Sequence, residues 1–360
     1  MHKKKVVVYA ICKNEEKFVE RWVNSMKEAD EIYVLDTGST DNTVSLLESL
    51  NVKVTTKIIV PWRFDVARNE SLKLVPHDAD ICVCTDLDEV FIVGWRKILE
   101  ENWDNITRVK YTLNSLLDDN DKPLISFYIS KIHSRFDYKW INPIHEILKC
   151  ENENEKIKII ENMFLNHYPD KEKSRGNYLS LLKLAVKEDP ENDRNMHYLG
   201  REYMYYNEND KAIYVLKKHL MLKSSNWKDE RCASMRFIAR CYMRKNEYEK
   251  AIKWYKNAIH EAPYLRDPYV EFALLLFKIE KYNEVIYRCN QALDIEYNKG
   301  SYINEVFSFD HTIYDLLSLC YYYKNDKNLA IYYINKALEI SPNIERLLEN
   351  KKIFLNKKEI

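Results

Sequence analysis

The chain has 360 residues, which is too long for one ordinary compact hydrophobic core and therefore predicts two domains. Lys+Arg and Asp+Glu both number 56, so the formal net charge is zero, which argues against nucleic-acid or membrane binding driven by charge alone. Nowhere do apolar residues run to the roughly 18 that a spanning helix needs, and the basic start precedes too short an apolar run for a signal peptide. We therefore expect a cytoplasmic protein without a transmembrane segment.

The eight cysteines are scattered, and most lie within apolar stretches. Cys82 and Cys84 have the wrong spacing for a zinc knuckle, and no second pair lies at a suitable distance. We predict reduced, buried thiols.

Short apolar strands alternate with amphipathic helices over the first half of the chain. The first such unit is a β-branched run, Val6–Ile11, followed by helical spacing from Glu16 to Met26. Repetition of strand, helix and strand predicts a mostly parallel, Rossmann-like α/β sheet covered by helices, with a mixed edge from later strands. The further predicted elements are strands over 31–35, 52–60, 80–84, 107–113, 124–131 and 164–167, and helices over 41–50 and 65–74.

An internal repeat begins after about residue 171. Ala251 and Ala258 are followed 34 residues later by Val285 and Ala292, and small residues at this spacing are typical of tetratricopeptide repeats, whose paired helices pack closely. Ala258 and Ala337 each precede a proline by five residues, which ends a helix at the same repeat position. We predict four repeats, near 193–226, 232–265, 266–299 and 311–344, with an insertion over 299–310.

Three carboxylates, Asp86, Asp88 and Glu89, follow the apolar strand that ends at Cys84. Open α/β sheets bind ligands at the carboxyl ends of their parallel strands. Carboxylates this close repel one another unless a cation lies between them, and a divalent metal there can also bind a diphosphate. The alternative interpretation is a solvated acidic turn.

Polar residues also follow the other predicted strands. Asn14 and Glu15 come after the first strand, and Asp36 comes after the second, where a carboxylate can accept hydrogen bonds from a ribose or a base. Arg68, beyond the third strand, can pair with a phosphate through its planar guanidinium. The alternatives are turn and helix-cap chemistry around Asp41 and an ordinary surface position for Arg68.

Together these segments resemble family 2 glycosyltransferases of the GT-A fold, and their order and spacing match over residues 4 to 90. Two later segments, Trp140–Glu146 and Asn166–Tyr168, resemble the bacterial subgroup that carries C-terminal tetratricopeptide repeats, among which are peptide S- and O-glycosyltransferases of the sublancin type. The segments of the first group are Cys-Lys-Asn-Glu-Glu (12–16), Asp-Thr-Gly-Ser-Thr-Asp (36–41), Phe-Asp-x-Ala-Arg-Asn (64–69) and Asp-x-Asp-Glu (86–89).

The resemblance implies a domain organisation and a donor site. A GT-A catalytic domain would cover 1–168, a linking helix 169–192, and an all-α tetratricopeptide-repeat solenoid 193–360. In the donor site, Asn14 and Glu15 would line the nucleotide pocket, Asp36 would hold the base or ribose, and Arg68 would lie near the diphosphate. Asp88 would be the main metal ligand, and Asp86 would reach the ribose or the metal.

Two later motifs supply the remaining candidate residues. Sugar transfer with inversion needs a base that takes the proton of the acceptor, and we predict Glu146 in this role, with His145 orienting it or contacting the diphosphate. The alternative is a structural His-Glu pair. His167 lies where GT-A enzymes often supply a further metal or diphosphate contact, and the alternative is a buried histidine with satisfied hydrogen bonds.

The sequence thus predicts an inverting glycosyltransferase that uses Mn²⁺ or Mg²⁺ and a nucleotide sugar, with a UDP-sugar as the expected donor. Repeat arrays form concave surfaces suited to peptides, so the expected acceptor is a Ser, Thr or Cys side chain of a peptide or protein. Two alternatives stay open: a cell-envelope glycan or lipid-linked acceptor, with the repeats serving for homodimerisation, and a repeat scaffold that binds a nucleotide sugar without turnover.

Overall fold

The computed structural model of the chain describes residues 3–170, 172, 176–296 and 301–356. The chain divides into two compact units, Met1–Ala185 and Val186–Ile360. This division falls within the segment for which a linking helix is predicted, and a helix, Tyr178–Glu188, crosses it. Within the described ranges, no helix combines the length and the apolar character that crossing a membrane requires.

An eight-stranded mixed sheet forms the centre of the N-terminal unit, in the order β3-β2-β1-β4-β7-β6-β10-β5. The first four strands are parallel, β7 runs antiparallel to both of its neighbours, and β10 is parallel to β6. Hence β1, β2, β4 and β10 all end at the same edge of the sheet. The strands are Val6–Cys12 (β1), Glu31–Asp36 (β2), Lys53–Thr56 (β3), Ile81–Cys84 (β4), Glu89–Phe91 (β5), Arg108–Leu117 (β6), Pro123–Ser134 (β7), Tyr138–Ile141 (β8), Ile147–Cys150 (β9) and Ile157–His167 (β10).

Helices cover both faces of β1, which explains why all seven of its residues are buried. Val6, Val8 and Ala10 point to one face and pack in the same cluster as Trp22. Tyr9 points to the other face, toward the third helix and the β8–β9 hairpin. The helices of this unit are Glu16–Met26 (α1), Thr43–Ser49 (α2), Phe64–Leu74 (α3) and Trp95–Asn102 (α4), followed by the crossing helix Tyr178–Glu188 (α5).

The predicted third strand over 52–60 is wrong in its second half, since β3 ends at Thr56. Ile59 is buried by packing with Leu35 and Ala67 instead of by strand pairing, so its apolar character reflects a packed loop. The sequence interpretation also omits β5, α4 and the β8–β9 hairpin, which are short elements of three to eight residues.

The C-terminal unit consists of antiparallel helix pairs that confirm the predicted repeat architecture. Each of the first four pairs is joined by a three-residue loop whose middle residue has a positive φ. A Cβ at Gly200 would lie 2.5 Å from Leu216, so the first pair approaches most closely where the sequence has no side chain. The helices are Asp193–Tyr205 (α6), Asn209–Met221 (α7), Lys228–Arg244 (α8), Tyr248–Glu261 (α9), Asp267–Lys278 (α10), Tyr282–Leu293 (α11), Thr312–Tyr323 (α12), Lys327–Ile340 (α13) and Glu345–Asn356 (α14).

Two further predictions concern the insertion and the cysteines. A short 3₁₀ turn, Val306–Ser308, lies in the predicted insertion, of which residues 299 and 300 lie outside the described residues. All eight cysteines are free thiols, and all except the half-buried Cys150 are buried, as the sequence predicts.

Candidate active site

Asp36 and Asn14 organise the turn that follows β1 and β2. Cys12 and Asp36 are in register at the ends of the two strands, and Asp36 is 1% exposed. Its carboxylate accepts backbone hydrogen bonds from Gly38 (3.2 Å) and Ser39 (3.0 Å), and Gly38 has a φ of +106°, which favours glycine. The Oδ1 atom of Asn14 accepts a hydrogen bond from the backbone of Thr40 (2.7 Å). The carboxylate of Asp36 is therefore buried within the turn that the two strand ends build together.

Glu15 has a different environment from its exposed neighbour Asn14. Glu15 is 8% exposed, and its backbone N–H donates to the hydroxyl of Thr43 (2.7 Å) at the start of α2. The hydroxyl (2.6 Å) and the backbone N–H (3.0 Å) of Thr43 in turn donate to Asp41, so Asp41 belongs to the turn before α2, whose N-cap residue is Asn42. Of the two residues predicted to line a nucleotide pocket, Asn14 is open to solvent and Glu15 is buried.

The β8–β9 hairpin is attached to α3, and this attachment positions Glu146. Asn69 exchanges two hydrogen bonds with the backbone of Trp140 (2.8 and 2.9 Å), and the indole of Trp140 donates to Tyr9 of β1 (3.0 Å). The turn between β8 and β9 then brings Glu146 to Arg68, whose Nε donates to the carboxylate at 3.0 Å. Two segments that are distant in sequence therefore meet because a helix side chain binds a strand backbone.

Arg68 and Lys131 hold the carboxylate of Asp86 between them. The guanidinium of Arg68 is 3% exposed and contacts one oxygen of Asp86, while Lys131 Nζ lies 2.9 Å from the other oxygen and 2.9 Å from Glu89. Burial by itself would raise the pKa of Asp86, but the charges of Arg68 and Lys131 outweigh it and hold that pKa well below its usual range. We call this row of five alternating charges, Glu89–Lys131–Asp86–Arg68–Glu146, the charged row.

Lys131 is the residue of the charged row that the sequence interpretation missed. Val83 pairs with Ile132, so β7 brings Lys131 beside the end of β4. Burial lowers the pKa of Lys131, but Asp86 and Glu89 outweigh it and raise that pKa well above its usual value. The available signal was a lone lysine inside the apolar strand Leu124–Lys131, and a single sequence does not say which carboxylates it meets.

Asp88 and His167 form a second group beside the charged row. The end of β10 brings His167 Nε2 to within 3.3 Å of the Asp88 carboxylate, and the other ring nitrogen lies 3.3 Å from the carbonyl of Ser115. Burial lowers the pKa of His167, yet the hydrogen bond to Asp88 and the charges of Asp88 and Glu89 outweigh it, so the pKa is raised. The backbone N–H of Tyr168 donates to the carbonyl of Asp88 (2.8 Å), which fixes the two segments together.

These positions decide which predicted metal ligands fit a cation. Asp88 and His167 present one oxygen and one nitrogen side by side, a donor set that suits a divalent cation that keeps water or phosphate oxygens as its other ligands. Asp86 directs its oxygens to Arg68 and Lys131. Among the described residues, Asp86, Asp88 and His167 do not bring three ligand atoms within 4.8 Å of one another. In the structure, therefore, Asp88 pairs with His167, whereas Asp86 pairs with the side chains of Arg68 and Lys131.

His145 lies in the same turn as Glu146, between β8 and β9. Its φ is +51°, and its ring meets that of Tyr178 edge-on at 6.2 Å. Asn142, at the start of the turn, also has a positive φ, of +80°. Two non-glycine residues in the left-handed region give this turn a specific shape, which turns Glu146 toward Arg68.

Comparison with known proteins shows that part of the chain is similar to glycosyltransferases. The model of the family described as glycosyl transferase family 2 matches residues 7–126. An uncharacterised glycosyltransferase of Rickettsia bellii is 48% identical over 60 residues, which is 16% of this chain and 19% of that protein. The SPbeta prophage-derived glycosyltransferase SunS of Bacillus subtilis strain 168 is 26% identical over 234 residues, 60% of this chain and 52% of SunS. The chain thus spans about a fifth and about half of the lengths of these relatives.

Solved structures match the other half. The crystal structure of MamA is 21% identical with a TM-score of 0.38, over 49% of this chain and 96% of that one. A tetratricopeptide repeat protein of Thermus thermophilus is 19% identical with a TM-score of 0.35, over 49% of this chain and 88% of that one. Residues 7–126, within the N-terminal unit, thus match the glycosyl transferase family 2 model, and the helical repeat unit follows this match in the chain.

Proposed function

We propose that the chain is an inverting glycosyltransferase that moves a sugar from a nucleotide sugar, a UDP-sugar in the first instance, to a Ser, Thr or Cys side chain of a peptide or protein. The observation that carries the proposal is that Asp36 and Asp88 follow parallel strands that end at one edge of the sheet, where Arg68 links Glu146 to Asp86. In the family 2 context, this edge is where a donor would bind.

Residues at different strand ends would bind different parts of the nucleotide sugar. Asp36, already oriented by two backbone N–H groups, offers its remaining acceptor capacity to the ribose or base, and Asn14 lies exposed beside it. Asp88 and His167 would hold Mn²⁺ or Mg²⁺, which when bound offsets the negative charge that develops on the leaving diphosphate. Lys131 and Arg68 neutralise the neighbouring carboxylates, so that the edge does not repel a diphosphate with its full acidic charge.

In this proposal, Glu146 accepts the proton of the acceptor nucleophile. One oxygen is held by Arg68 at 3.0 Å, which fixes the orientation of the carboxylate, and its side chain keeps 13% exposure. As the acceptor oxygen or sulfur bonds to the anomeric carbon, the bond from that carbon to the diphosphate breaks and the proton goes to Glu146. Attack opposite the leaving group inverts the configuration in one displacement.

The repeat unit is the proposed acceptor site. A cavity of about 290 Å³ lies between α8, α9 and α10, and its lining includes Arg244, Leu274, Lys278 and Phe307. An apolar floor with cations around it fits an extended peptide that carries acidic or polar side chains. Leu274 is 37% exposed there, which leaves apolar surface for an acceptor side chain.

The catalytic proposal is tested by donor turnover. The purified full chain is incubated with a panel of UDP-sugars, and released UDP is measured with added Mn²⁺ and with a chelator. We expect UDP release from at least one donor when Mn²⁺ is present and no release in the chelator. NMR of the glycosylated product should show that the anomeric configuration is inverted relative to the donor. Tight donor binding without release or transfer across the panel would support the scaffold alternative and contradict the proposal.

The acceptor proposal is tested separately by Leu274→Glu. We expect a higher KM for a peptide acceptor and unchanged hydrolysis of the donor, because the substitution lies in the repeat unit. Ile340→Glu, at another exposed apolar position of a repeat helix (46%), serves as the matched control. Transfer to a lipid-linked glycan, insensitive to Leu274→Glu, would favour the cell-envelope alternative.

A further inference from the structure

A buried cluster of two histidines and one glutamate joins three helices of the repeat unit. His197 of α6, His219 of α7 and Glu230 of α8 each place one ligand atom so that all three lie within 4.8 Å of one another. The two histidines are 0% exposed and Glu230 is 4% exposed. No part of the proposed transfer reaction uses these residues.

Ser234 fixes how the protons of the cluster are distributed. Its hydroxyl lies 2.7 Å from His197 Nδ1 and 2.9 Å from His219 Nδ1, but a hydroxyl carries only one proton. One ring must therefore donate to Ser234 and the other must accept from it. If His197 donates, His219 accepts at Nδ1 and carries its own proton on Nε2, which lies 3.3 Å from the Glu230 carboxylate and 3.0 Å from the Ser225 hydroxyl.

That arrangement leaves one buried ring nitrogen without a hydrogen bond. In it, Nε2 of His197 is a bare lone pair, and among the described residues this atom has no hydrogen-bond partner. The reverse arrangement would leave a buried N–H at His197 Nε2 without an acceptor, while the Nε2 lone pair of His219 would accept from the Ser225 hydroxyl (3.0 Å) and also face the Glu230 carboxylate. A buried imidazole with an unused lone pair is a ready ligand for a cation.

From this geometry we infer that His197, His219 and Glu230 bind a structural zinc ion. Two imidazoles and one carboxylate are a donor set that zinc prefers. Two zinc ligands in tetrahedral geometry lie about 3.4 Å apart, and the His219–Glu230 pair already stands at 3.3 Å. Bound zinc would displace the proton between that pair and give the His197 ring the partner that it lacks.

The surroundings of the cluster orient its members as metal sites require. Tyr302 donates to the second carboxylate oxygen of Glu230, and Ser234 fixes both imidazole rings. Because the three ligands come from three successive helices, the ion would hold the first repeat to the second. Its effect is therefore on stability, independent of sugar transfer.

The test uses the full chain with Asp88→Asn and His167→Gln, so that the candidate donor site does not contribute metal. The protein is stripped of metal with a chelator, the chelator is removed, and Zn²⁺ is added. We expect one Zn²⁺ to remain bound per chain after unbound metal is removed. At a Zn²⁺ concentration 100-fold above Kd, we expect the melting temperature to rise by at least about 4 °C. Co²⁺ in place of Zn²⁺ is expected to give the visible absorption of a four-coordinate site. A further His197→Gln substitution should remove the metal, whereas His260→Gln, at an exposed histidine of α9, should not.

A folded protein that retains no zinc and shows no Co²⁺ absorption would overturn the inference and leave the cluster as a hydrogen-bonded network. Retention of zinc by a folded His197→Gln variant would overturn it as well. If His197→Gln does not fold, the Co²⁺ spectrum of the parent protein decides, since a hydrogen-bonded network gives no such band. None of these outcomes bears on donor turnover, which is measured independently.

Discussion

Both units bury alternating charges, but they do so in different ways. In the repeat unit, Arg236 and Arg240 lie four residues apart on one helix, and both bind Glu271 of α10. Arg236 also donates to the carbonyl of Ile303, which fastens the insertion to the helices (3.0 Å). In the N-terminal unit, the charged row draws on four segments and lies beside the partly exposed Asp88. The first arrangement is closed around the fully buried Arg236, and its members Arg240 and Glu271 also line the cavity of the repeat unit, whereas the second leaves ligand groups at its edge.

The closed arrangement gives the largest expected effect. Arg236 is 0% exposed, and Arg236→Met leaves Glu271 and Asp267 buried with less positive charge. Removing one partner of a buried ion pair typically costs about 3–5 kcal/mol, so we expect that loss in the free energy of unfolding measured in urea. Arg231→Met, which removes a half-buried partner of Glu261, is the control and should cost far less. Equal losses would contradict the distinction between closed and surface pairs.

The open arrangement predicts a loss of activity without a loss of stability. Asp88→Asn removes the carboxylate at the edge, where it is 19% exposed, and we expect UDP release to fall at least about 100-fold. The melting temperature should stay within about 2 °C of the wild type. Asp119→Asn, at an exposed loop position, is the matched control. Full activity of Asp88→Asn would remove this residue from the proposed donor site.

Lys131 tests whether the charged row positions the carboxylates. Burial raises the pKa of Glu89, and the positive charge of Lys131 counteracts this rise. Lys131→Met removes that charge and should raise the pKa of Glu89 further. Asp86 has a lowered pKa, so it stabilises the fold above its unfolded pKa of about 4, and this contribution fades as the pH falls below that value. We expect a roughly tenfold lower kcat/KM, with the acid limb of its pH profile moved to higher pH.

The exposed Lys139→Met on β8 is the control for Lys131→Met. It should leave both kcat/KM and the acid limb unchanged. A merely structural role for Lys131 would lower the melting temperature of Lys131→Met without moving the pH profile.

The two units also differ in how far the sequence predicts them. The repeat boundaries follow from the fixed spacing of alanines such as Ala251 and Ala258, because local helix packing repeats along the chain. The predicted strand ends also identify Asp36 and Asp88 as candidate site residues, because parallel strands end at a common edge of the sheet. Lys131 and the Arg68–Glu146 pair depend instead on which distant segments pair, through β7 and the β8–β9 hairpin, and a single sequence does not encode that in any local pattern.

The repeat loops offer a smaller effect that probes the same regularity. The middle residue of each three-residue loop has a φ near +60°, and it is Asn207, Asn246 and Asn325 in three loops but Glu280 in the other. Asparagine tolerates this conformation better than glutamate. Glu280→Asn should therefore raise the free energy of unfolding by about 0.5–1 kcal/mol. Asn207→Glu should lower it by a similar amount, and no change in either variant would contradict the strain argument.

The smallest expected effect separates the two kinds of charge by pH. In the Arg236–Glu271 pair, the pKa of the guanidinium is raised and that of the carboxyl is lowered, which keeps both groups charged at neutral pH, whereas His167 has a raised histidine pKa in the folded state. A raised histidine pKa stabilises the fold below the unfolded value of about 6.5, and the contribution is lost as the pH rises through the folded value. In chelator, His167→Gln should thus lower the free energy of unfolding by about 0.5 kcal/mol at pH 6 and by nothing measurable at pH 9. Added Mn²⁺ should reverse this trend, because the metal requires the neutral ring and favours high pH. A pH-independent difference between wild type and variant would mean that His167 and Asp88 do not share a proton.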